Sequence, residues 1–307
     1  MDQAEQLRSL VKKHNESIDI INQNKSVAKV ITITSGKGGV GKTSISINLA
    51  IQLASFGKKV IIIDADMGLA NVEIMLGIKP KYDLGDLMYG KMKLTDILTK
   101  GPMGIEFISG GSGIHELNNL TAEQIRNMTS RLYELDELAD YIIVDTGAGI
   151  SEVGMQFIKA SSEVFVVVTP EPTSITDAYA VLKALNREQN NIPDDVKIKM
   201  ISNRVASEKD GEVLYEKLNG VVNKFLDVKF EYLGTVIQDM NLSKSILNQQ
   251  PASIMYPGTI SVRTIRKLAN KVVNEGIGTE AKGISRLFTQ FVIGSFVNKK
   301  GEVSNGI

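Results

Sequence analysis

The sequence predicts an α/β protein: a doubly wound, mostly parallel sheet flanked by helices and folded as a single domain. From Val27 onward, short runs rich in β-branched residues alternate with longer helical patterns, a rhythm typical of strands joined by crossover helices. The runs at 60–63 and 164–168 lack polar alternation, as expected for central strands covered on both faces. We see no internal repeat or low-complexity linker, which favours one domain over two.

Six strands are expected in this sheet. Their predicted ranges are 29–34, 59–63, 141–144, 163–169, 196–201 and 231–236. Open parallel sheets bind ligands beyond the carboxyl ends of their strands, and clusters of Gly, Asp or Thr follow three of these runs. We therefore expect the binding site at that edge of the sheet.

Composition narrows the possible classes of function. The 307 residues include 35 Lys plus Arg and 35 Asp plus Glu, so the formal net charge is zero. No global field then attracts nucleic acid, and we expect nucleic acid not to be a partner. The chain has no cysteine and two histidines, which excludes a disulfide framework or a Cys-ligated metal and disfavours a His-rich metal site.

The two ends of the chain differ from the core. Residues 1–26 are polar with a few apolar positions, 27–276 hold the alternating pattern, and 277–300 contain a candidate amphipathic helix. The N-terminus lacks an apolar signal region, and we find no stretch of about 18 apolar residues. A cytoplasmic protein is expected.

A phosphate-binding loop follows the first predicted strand and precedes a predicted helix at 44–55, which is the context that a Walker A motif requires. Glycines allow successive backbone N–H groups to surround an anion, and the helix N-terminus adds a positive dipole end. Lys42 is expected to reach the outer phosphates and Thr43 to ligate Mg²⁺. The predicted contacts to ATP or ADP are Gly36, Lys37, Gly38, Gly39, Val40, Gly41, Lys42, Thr43 and Ser44.

Lys37 is a second lysine in this loop, where one already serves the phosphates. The stretch from Lys37 to Thr43, KGGVGKT, resembles the deviant Walker A motif of the MinD/ParA family of P-loop ATPases. The resemblance implies that Lys37 contacts nucleotide phosphates across an ATP-dependent homodimer interface. Lys37 would then act with Lys42 in catalysis, in a role like that of an arginine finger.

Two acids follow the second predicted strand. Asp64 and Asp66 could order Mg²⁺ waters or orient the water that attacks the γ-phosphate. The stretch resembles switch I of MinD, which implies that Asp66 orients the water and that Asn71 is its polar neighbour. Asp64 is a candidate Mg²⁺ ligand, with a helix-capping aspartate as the alternative.

A third acid, Asp145, ends the apolar run at 141–144, as the acid of a Walker B strand must to reach Mg²⁺. This region resembles switch II of the same family, whose usual form has proline after the Asp-Ser or Asp-Thr pair. Gly147 stands at that position here. The departure is expected to loosen the loop without affecting Asp145.

The resemblance also suggests the adenine contacts. Asn203 and Arg204 match the family position that recognises the adenine edge, and Ile237 and Gln238 lie in the loop that lines the ring. An ordinary helix-capping role is the alternative for Asn203. Asp177 would lie on a surface used by dimer partners and regulators.

The C-terminal segment has an apolar stripe at helical spacing. Aromatic residues on this stripe and basic residues beside it suit a helix lying among anionic headgroups at the inner face of the cell membrane. A similar terminal helix anchors MinD-like ATPases, whereas a helix docked on the core is the alternative. The predicted membrane contacts are Ile284, Leu287, Phe288, Phe291, Val292 and Phe296.

The first residues, DQAEQLR, resemble the element that opens many proteins of the flagellar FlhG (YlxH or FleN) branch of the MinD family. That branch controls the number or placement of flagella. The resemblance implies that the N-terminal segment activates the SRP-type GTPase FlhF, with Gln3 as the contact residue, and that flagellar basal-body components are further partners.

Other functions remain open at this stage. A division-site MinD or a DNA-partitioning ParA is the alternative within the family. From another class, a ligase or a reductase subunit shares the scaffold, but the absence of cysteine excludes an iron–sulfur cluster bound by cysteines. We favour a nucleotide-gated switch whose slow hydrolysis serves as a timer.

Overall fold

The computed structural model describes residues 27–66, 70–88, 92–111, 134–188, 196–276 and 283–284. Within these residues, eight strands form one sheet in the order β3-β4-β2-β5-β1-β6-β7-β8. The strand pair β3–β4 is antiparallel and all other neighbours are parallel. The predicted fold class is therefore confirmed.

All six predicted strands are present. The strands are β1 (Lys29–Thr34), β2 (Val60–Ala65), β3 (Thr99–Lys100), β4 (Glu106–Ile108), β5 (Tyr141–Thr146), β6 (Glu163–Val168), β7 (Lys197–Val205) and β8 (Phe230–Ile237). The sequence did not predict β3 and β4, because two and three residues are too few for an alternation to be recognised.

Helices connect and cover the strands. They are α1 (Lys42–Ser55), α2 (Asn71–Leu76), α3 (Leu84–Met88), α4 (Leu94–Ile97), α5 (Glu152–Ala160), α6 (Pro172–Arg187), α7 (Glu208–Phe225), α8 (Met240–Leu247), α9 (Ala252–Met255) and α10 (Ile260–Asn274). Residues 134–138 are also helical. Among the described helices, we find none that is long and apolar enough to cross a membrane.

The sheet is buried on both faces because successive side chains of a strand point to opposite sides. In β1, Val30 packs on one face and Ile31 and Ile33 on the other. Helices α1, α2 and α10 cover the Ile31 face, and α3 to α7 cover the Val30 face. Each buried branched side chain stabilises the fold by about 1.5–3 kcal/mol.

The amino ends and the carboxyl ends of the strands carry different charged side chains. At the amino ends of the strands, buried Glu163 forms salt bridges with Lys29 at 2.8 Å and with Lys199 at 3.2 Å. Lys29 also donates to the backbone carbonyl of Gly276 at 3.3 Å, just after α10. At the carboxyl ends, β2 and β5 place Asp64 beside Asp145 in register. The fold thus brings the predicted acids together at the expected edge.

Candidate functional site

The loop at 35–41 joins β1 to α1 and requires its glycines for two reasons. Gly39 and Gly41 have φ values of 74° and 98°, in the left-handed region that favours glycine. Gly36 is needed for space, since a Cβ there would lie 2.1 Å from the carbonyl carbon of Asp177 in α6. The first turn of the loop is therefore packed directly on the backbone of α6.

The start of α1 can receive an anion. Gly41 is its N-cap residue, and no described side chain caps the helix or places an acid in its first turn. The Ser44 hydroxyl is buried without a hydrogen-bond partner among the described residues, and the space around Gly39 is open. Free backbone N–H groups and an unpaired hydroxyl fit the phosphates of a nucleotide.

Lys42 lies inside this loop. Its ammonium group donates to the Ser35 hydroxyl at 3.1 Å, and the residue is 7% exposed. Burial lowers the pKa of Lys42, although the charges of Asp145 and Asp66 oppose the shift. A partly desolvated lysine next to the open helix end is well placed for phosphate, as the motif predicts.

Lys37 points to a different place. Its ammonium group contacts Glu171 at 2.8 Å and the Thr173 hydroxyl at 2.9 Å, at the start of α6. The Lys37 side chain is 37% exposed. The hydrogen bond from Lys37, together with its charge, lowers the pKa of Glu171. The two lysines of the motif therefore lie in different environments, one buried in the loop and one at the protein surface.

Asp145 is fully buried at the end of β5. Its two carboxylate oxygens accept hydrogen bonds from Thr43 at 2.6 Å and from Ser46 at 2.8 Å. Burial raises the pKa of Asp145 to about 6, although these hydrogen bonds and the charge of Lys42 oppose the shift. A hydroxyl and a carboxylate in contact at a phosphate site match the oxygen ligands that Mg²⁺ prefers.

Asp64 has a structural role. One carboxylate oxygen accepts from the amide of Asp66 at 3.2 Å and the other from the amide of Val72 at 3.0 Å, in the first turn of α2. Burial and then the charge of Asp145 raise the pKa of Asp64 to about 7. The helix-capping alternative thus has direct support, while ligation of Mg²⁺ by Asp64 stays a prediction.

The carboxylate of Asp66 is hydrogen-bonded to Asn71 and lies close to Gly147. Asn71 donates from its amide to one Asp66 oxygen at 2.8 Å, which is the pairing that the sequence suggested. The other oxygen faces Gly147 in the loop after β5. This loop is in turn fixed to the phosphate loop, because the Gly149 amide donates to the Ser35 carbonyl at 2.9 Å.

Asn203 braces the phosphate loop. Its side-chain amide donates to the Val40 carbonyl at 2.6 Å, and its oxygen accepts from the amide of Arg204 at 2.9 Å. The helix-capping alternative is wrong for Asn203, because Ser207 caps α7. A carboxamide can make further hydrogen bonds, so contact with adenine stays a prediction.

Backbone amides in the loop after β8 already donate hydrogen bonds to neighbouring residues. The amide of Ile237 donates to Thr264 at 3.4 Å and the amide of Gln238 to the carbonyl of Val205 at 2.9 Å. Contact with a base through these two residues would therefore use carbonyl or side-chain atoms. Arg204 beside them is exposed and has a φ of 57°.

One predicted membrane contact lies in the core instead. Ile284 is buried among the apolar residues beneath α4 and α5, and its amide donates to Asp136 at 2.9 Å. In this conformation Ile284 is not available to a membrane, which corrects the expectation for that residue. The other predicted contacts, Leu287, Phe288, Phe291, Val292 and Phe296, and the N-terminal Gln3 lie outside the described residues.

Sequence reasoning missed three contributors to the site. Ser46 is one helical turn after Thr43, so helix spacing could have placed it on Asp145. Glu171 and Thr173 are far from Lys37 in sequence, and we find no local pattern that indicates their contact. Ser35 stands just before the motif, and its hydrogen bond from Lys42 is likewise not predicted.

The parallel sheet, the glycine loop between β1 and α1, and the acids at the ends of β2 and β5 define a P-loop nucleotide-binding protein. A model of the CobQ/CobB/MinD/ParA nucleotide binding domain matches residues 31–252. Because this match covers most of the chain, the protein belongs to that family, and it is an ATPase of the MinD/ParA type.

Three similar proteins illustrate the relationship. Antiactivator FleN of Pseudomonas aeruginosa is 35% identical over 265 residues, which cover 86% of this chain and 93% of that protein. Flagellum site-determining protein YlxH of Helicobacter pylori is 35% identical over 254 residues, covering 82% and 84%. The MinC:MinD cell division protein complex of Aquifex aeolicus matches with a TM-score of 0.66 at 26% identity, covering 82% of this chain and 98% of that one.

Proposed function

We propose that this ATPase is a dimerising, membrane-associated switch that regulates the number or placement of flagella. Support for the flagellar role comes from its similarity to FleN and YlxH over most of the chain. Support for the switch comes from one observation in the site, the separation of the two lysines of the phosphate loop.

The chain's own residues divide the work in this proposal. Lys42, Ser44 and the open N-terminus of α1 bind phosphates, while Thr43 and Asp145 hold Mg²⁺. Bound ATP with Mg²⁺ supplies the γ-phosphoryl group that is transferred to water. Asp66, oriented by Asn71, positions that water, since phosphoryl transfer depends mainly on positioning and electrostatics.

Lys37 carries the dimer part of the proposal. It already lies at the exposed carboxyl edge of the sheet, held by Glu171 and Thr173, and Lys42 serves its own loop without it. An exposed pair of this kind contributes little to stability, so Lys37 can exchange Glu171 for a phosphate of a second subunit at small cost. Dimerisation would then depend on ATP.

The test compares two lysine variants. Lys37→Ala is expected to bind ATP with near-normal affinity but to stay monomeric in size-exclusion chromatography with a non-hydrolysable ATP analogue. Lys42→Ala, the matched control, is expected to lose ATP binding itself. If Lys37→Ala forms a normal dimer with normal turnover, the role across the interface is refuted.

The terminal segments complete the proposal. We infer that residues 1–26 activate the GTPase FlhF through Gln3, and that the helix in 277–300 attaches the protein to the inner face of the cell membrane. Purified FlhF should hydrolyse GTP faster with the full chain than with a chain lacking residues 1–25 or carrying Gln3→Ala. Equal stimulation by all three would refute the N-terminal role.

Membrane attachment is tested separately with anionic vesicles. Because Ile284 is buried in the core, attachment through this helix requires release of the segment. We infer that release accompanies the ATP-bound state, so co-sedimentation should increase with the ATP analogue. Equal sedimentation with and without the analogue would contradict the switch.

A division-site function is the second candidate, because Septum site-determining protein MinD of Bacillus subtilis is also similar, at 29% identity over 82% of this chain. Affinity purification from cells with Asp66→Ala, held in the ATP state, separates the two. Recovery of flagellar basal-body components supports the flagellar proposal, and recovery of division proteins overturns it.

A further inference from the structure

Ser46 lies near the start of α1, on the same face of the helix as Thr43. The two residues are three positions apart, and residues at that spacing are neighbours on a helix surface. Both side chains reach Asp145 at the end of β5. The Thr43 hydroxyl donates to one carboxylate oxygen at 2.6 Å and the Ser46 hydroxyl to the other at 2.8 Å. One helix face therefore holds the carboxylate at both of its oxygens.

The Ser46 hydroxyl has two acceptors within reach but only one proton to donate. Besides Asp145, the backbone carbonyl of Lys42 lies 3.0 Å away. In an α-helix that carbonyl already accepts from the amide four residues further on. Hydrogen bonds to an ionised acceptor are shorter and stronger than those to a neutral one, and the contact with Asp145 is the shorter of the two. We therefore assign the proton to the carboxylate.

Both partners of this hydrogen bond are buried away from water. Ser46 and Asp145 are each 0% exposed, so bulk solvent does not reach the oxygen that Ser46 holds. Within the described residues, the side chains that donate to Asp145 are those of Thr43 and Ser46. The terminal torsion of an aspartate is broad. Without Ser46, the carboxylate can therefore turn, and its other oxygen can move away from Thr43.

We propose that Ser46 is a positioning residue for the Mg²⁺ ligands of this site. By holding one oxygen of Asp145, its hydroxyl keeps the other oxygen paired with Thr43. The orientation matters because Mg²⁺ demands a near-octahedral arrangement of its ligands, and hydrogen-bond partners of metal ligands fix that orientation. The inference rests on the proposed binding of Mg²⁺ by Thr43 and Asp145.

The test compares wild type with Ser46→Ala in the full-length protein. Titration calorimetry measures the affinity for a non-hydrolysable ATP analogue with saturating Mg²⁺ and again with EDTA. The ratio of the two affinities reports how much more tightly the protein complex holds the cation than the free nucleotide does. Removing the hydrogen-bond partner of a metal ligand typically costs about ten- to a hundredfold in metal affinity, so the ratio should fall by about tenfold or more. The affinity in EDTA should stay near wild type, because the hydroxyl of Ser46 contacts Asp145 and the helix backbone.

Ser161→Ala is the matched control. Ser161 is also 0% exposed, and its hydroxyl also donates to a carbonyl four residues earlier, that of Phe157 at 2.8 Å. It lies between α5 and β6, at the amino edge of the sheet. Each variant loses one buried hydroxyl and should lower Tm, and Ser46→Ala should still fold because alanine is the best helix former. Only Ser46→Ala should lower the affinity ratio, and an equal fall in both variants would overturn the inference.

The outcomes separate this inference from the proposed function. If Mg²⁺ raises the affinity of wild type and Ser46→Ala keeps the wild-type ratio, the positioning role is overturned while the ATPase switch stands. If Mg²⁺ does not change binding by wild type, the proposed Mg²⁺ site fails and the inference fails with it. In a Thr43→Val background, adding Ser46→Ala should lower the ratio no further, because residues that act through one interaction are not additive. A further fall there would show that Ser46 acts by another route.

Discussion

Because the carboxylate of Asp145 is buried, we expect that removing its charge stabilises the nucleotide-free protein. The same change should prevent the protein from using Mg²⁺. Asp145 is fully buried, and its pKa is raised to about 6, chiefly by burial. Asp145→Asn keeps the size of the side chain and an acceptor for one of its two hydroxyl donors, Thr43 and Ser46. The substitution therefore removes the charge with little change in packing.

The expected gain follows from the shift in pKa. An aspartate in an unfolded chain has a pKa of about 3.9, so the native protein with its value of about 6 binds the proton more tightly. It then loses stability as the pH rises from about 4 to about 6, and the loss is complete above that window. Two units correspond to about 3 kcal/mol, from which about 1 kcal/mol is subtracted for the weakened hydrogen bonding. We expect a net gain of about 1–2 kcal/mol near neutral pH.

Urea denaturation of the nucleotide-free protein measures this directly. Asp145→Asn should exceed wild type in free energy of unfolding at about pH 8, and the difference should fall and reverse by about 1 kcal/mol towards about pH 4, where only the weakened hydrogen bonding remains. Asp239→Asn is the control with the opposite sign: burial would raise the pKa of Asp239, but hydrogen bonds from Asn241 and Ser261 outweigh it and lower the pKa. A pH-independent difference, or destabilisation by Asp145→Asn at about pH 8, would refute the electrostatic reasoning.

Three further outcomes are expected. Asn203→Ala should lower the free energy of unfolding by about 1–3 kcal/mol, because the buried Val40 carbonyl loses its donor; urea denaturation checks this, and an unchanged midpoint contradicts it. Gly36→Ala should lower Tm strongly or prevent soluble expression, because its Cβ would lie 2.1 Å from the Asp177 backbone; a normal Tm in thermal unfolding would show that α6 can move. Thr43→Val should bind ATP equally with and without Mg²⁺ in titration calorimetry, and persisting Mg²⁺ dependence would place the ligand elsewhere.

The sequence predicts those parts of the site in which a motif and its structural context are local. Lys42 and Thr43 belong to one contiguous loop, and strand–loop–helix order alone positions them at the carboxyl edge. Asp145 is predictable because it ends an apolar run. Ser46 was missed, although a helix repeats every 3.6 residues and so places it one turn after Thr43. In each case the physical rule links residues that are close in the chain.

Other contacts in the site join residues that are far apart in the chain, and the sequence does not predict them. Lys37 meets Glu171 across 134 positions, and Asn203 meets Val40 across 163. These contacts follow from the order of β1, β6 and β7 in the sheet, which strand patterns do not specify. The same holds for Ile284, whose place in the helical stripe indicates a membrane contact although the fold buries it.

Several groups at the carboxyl edge lie in environments that disfavour their charged or polar form. Asp64 and Asp145 have raised pKa values, the pKa of Lys42 is lowered by burial, and the Ser44 hydroxyl has no partner among the described residues. A phosphate with Mg²⁺ would relieve all four, because the cation favours both carboxylates and the anion favours the ammonium group and the hydroxyl. The free energy of nucleotide binding then includes the removal of this cost of burying charged and polar groups, which the folded protein already carries. Since a ligand stabilises the state that binds it, nucleotide should stabilise chiefly this edge, where α2, the loop after β5 and the start of α6 meet. These are the elements that present Asp66, Gly147 and Lys37, so under the proposed function nucleotide binding would also order the surface offered to a second subunit.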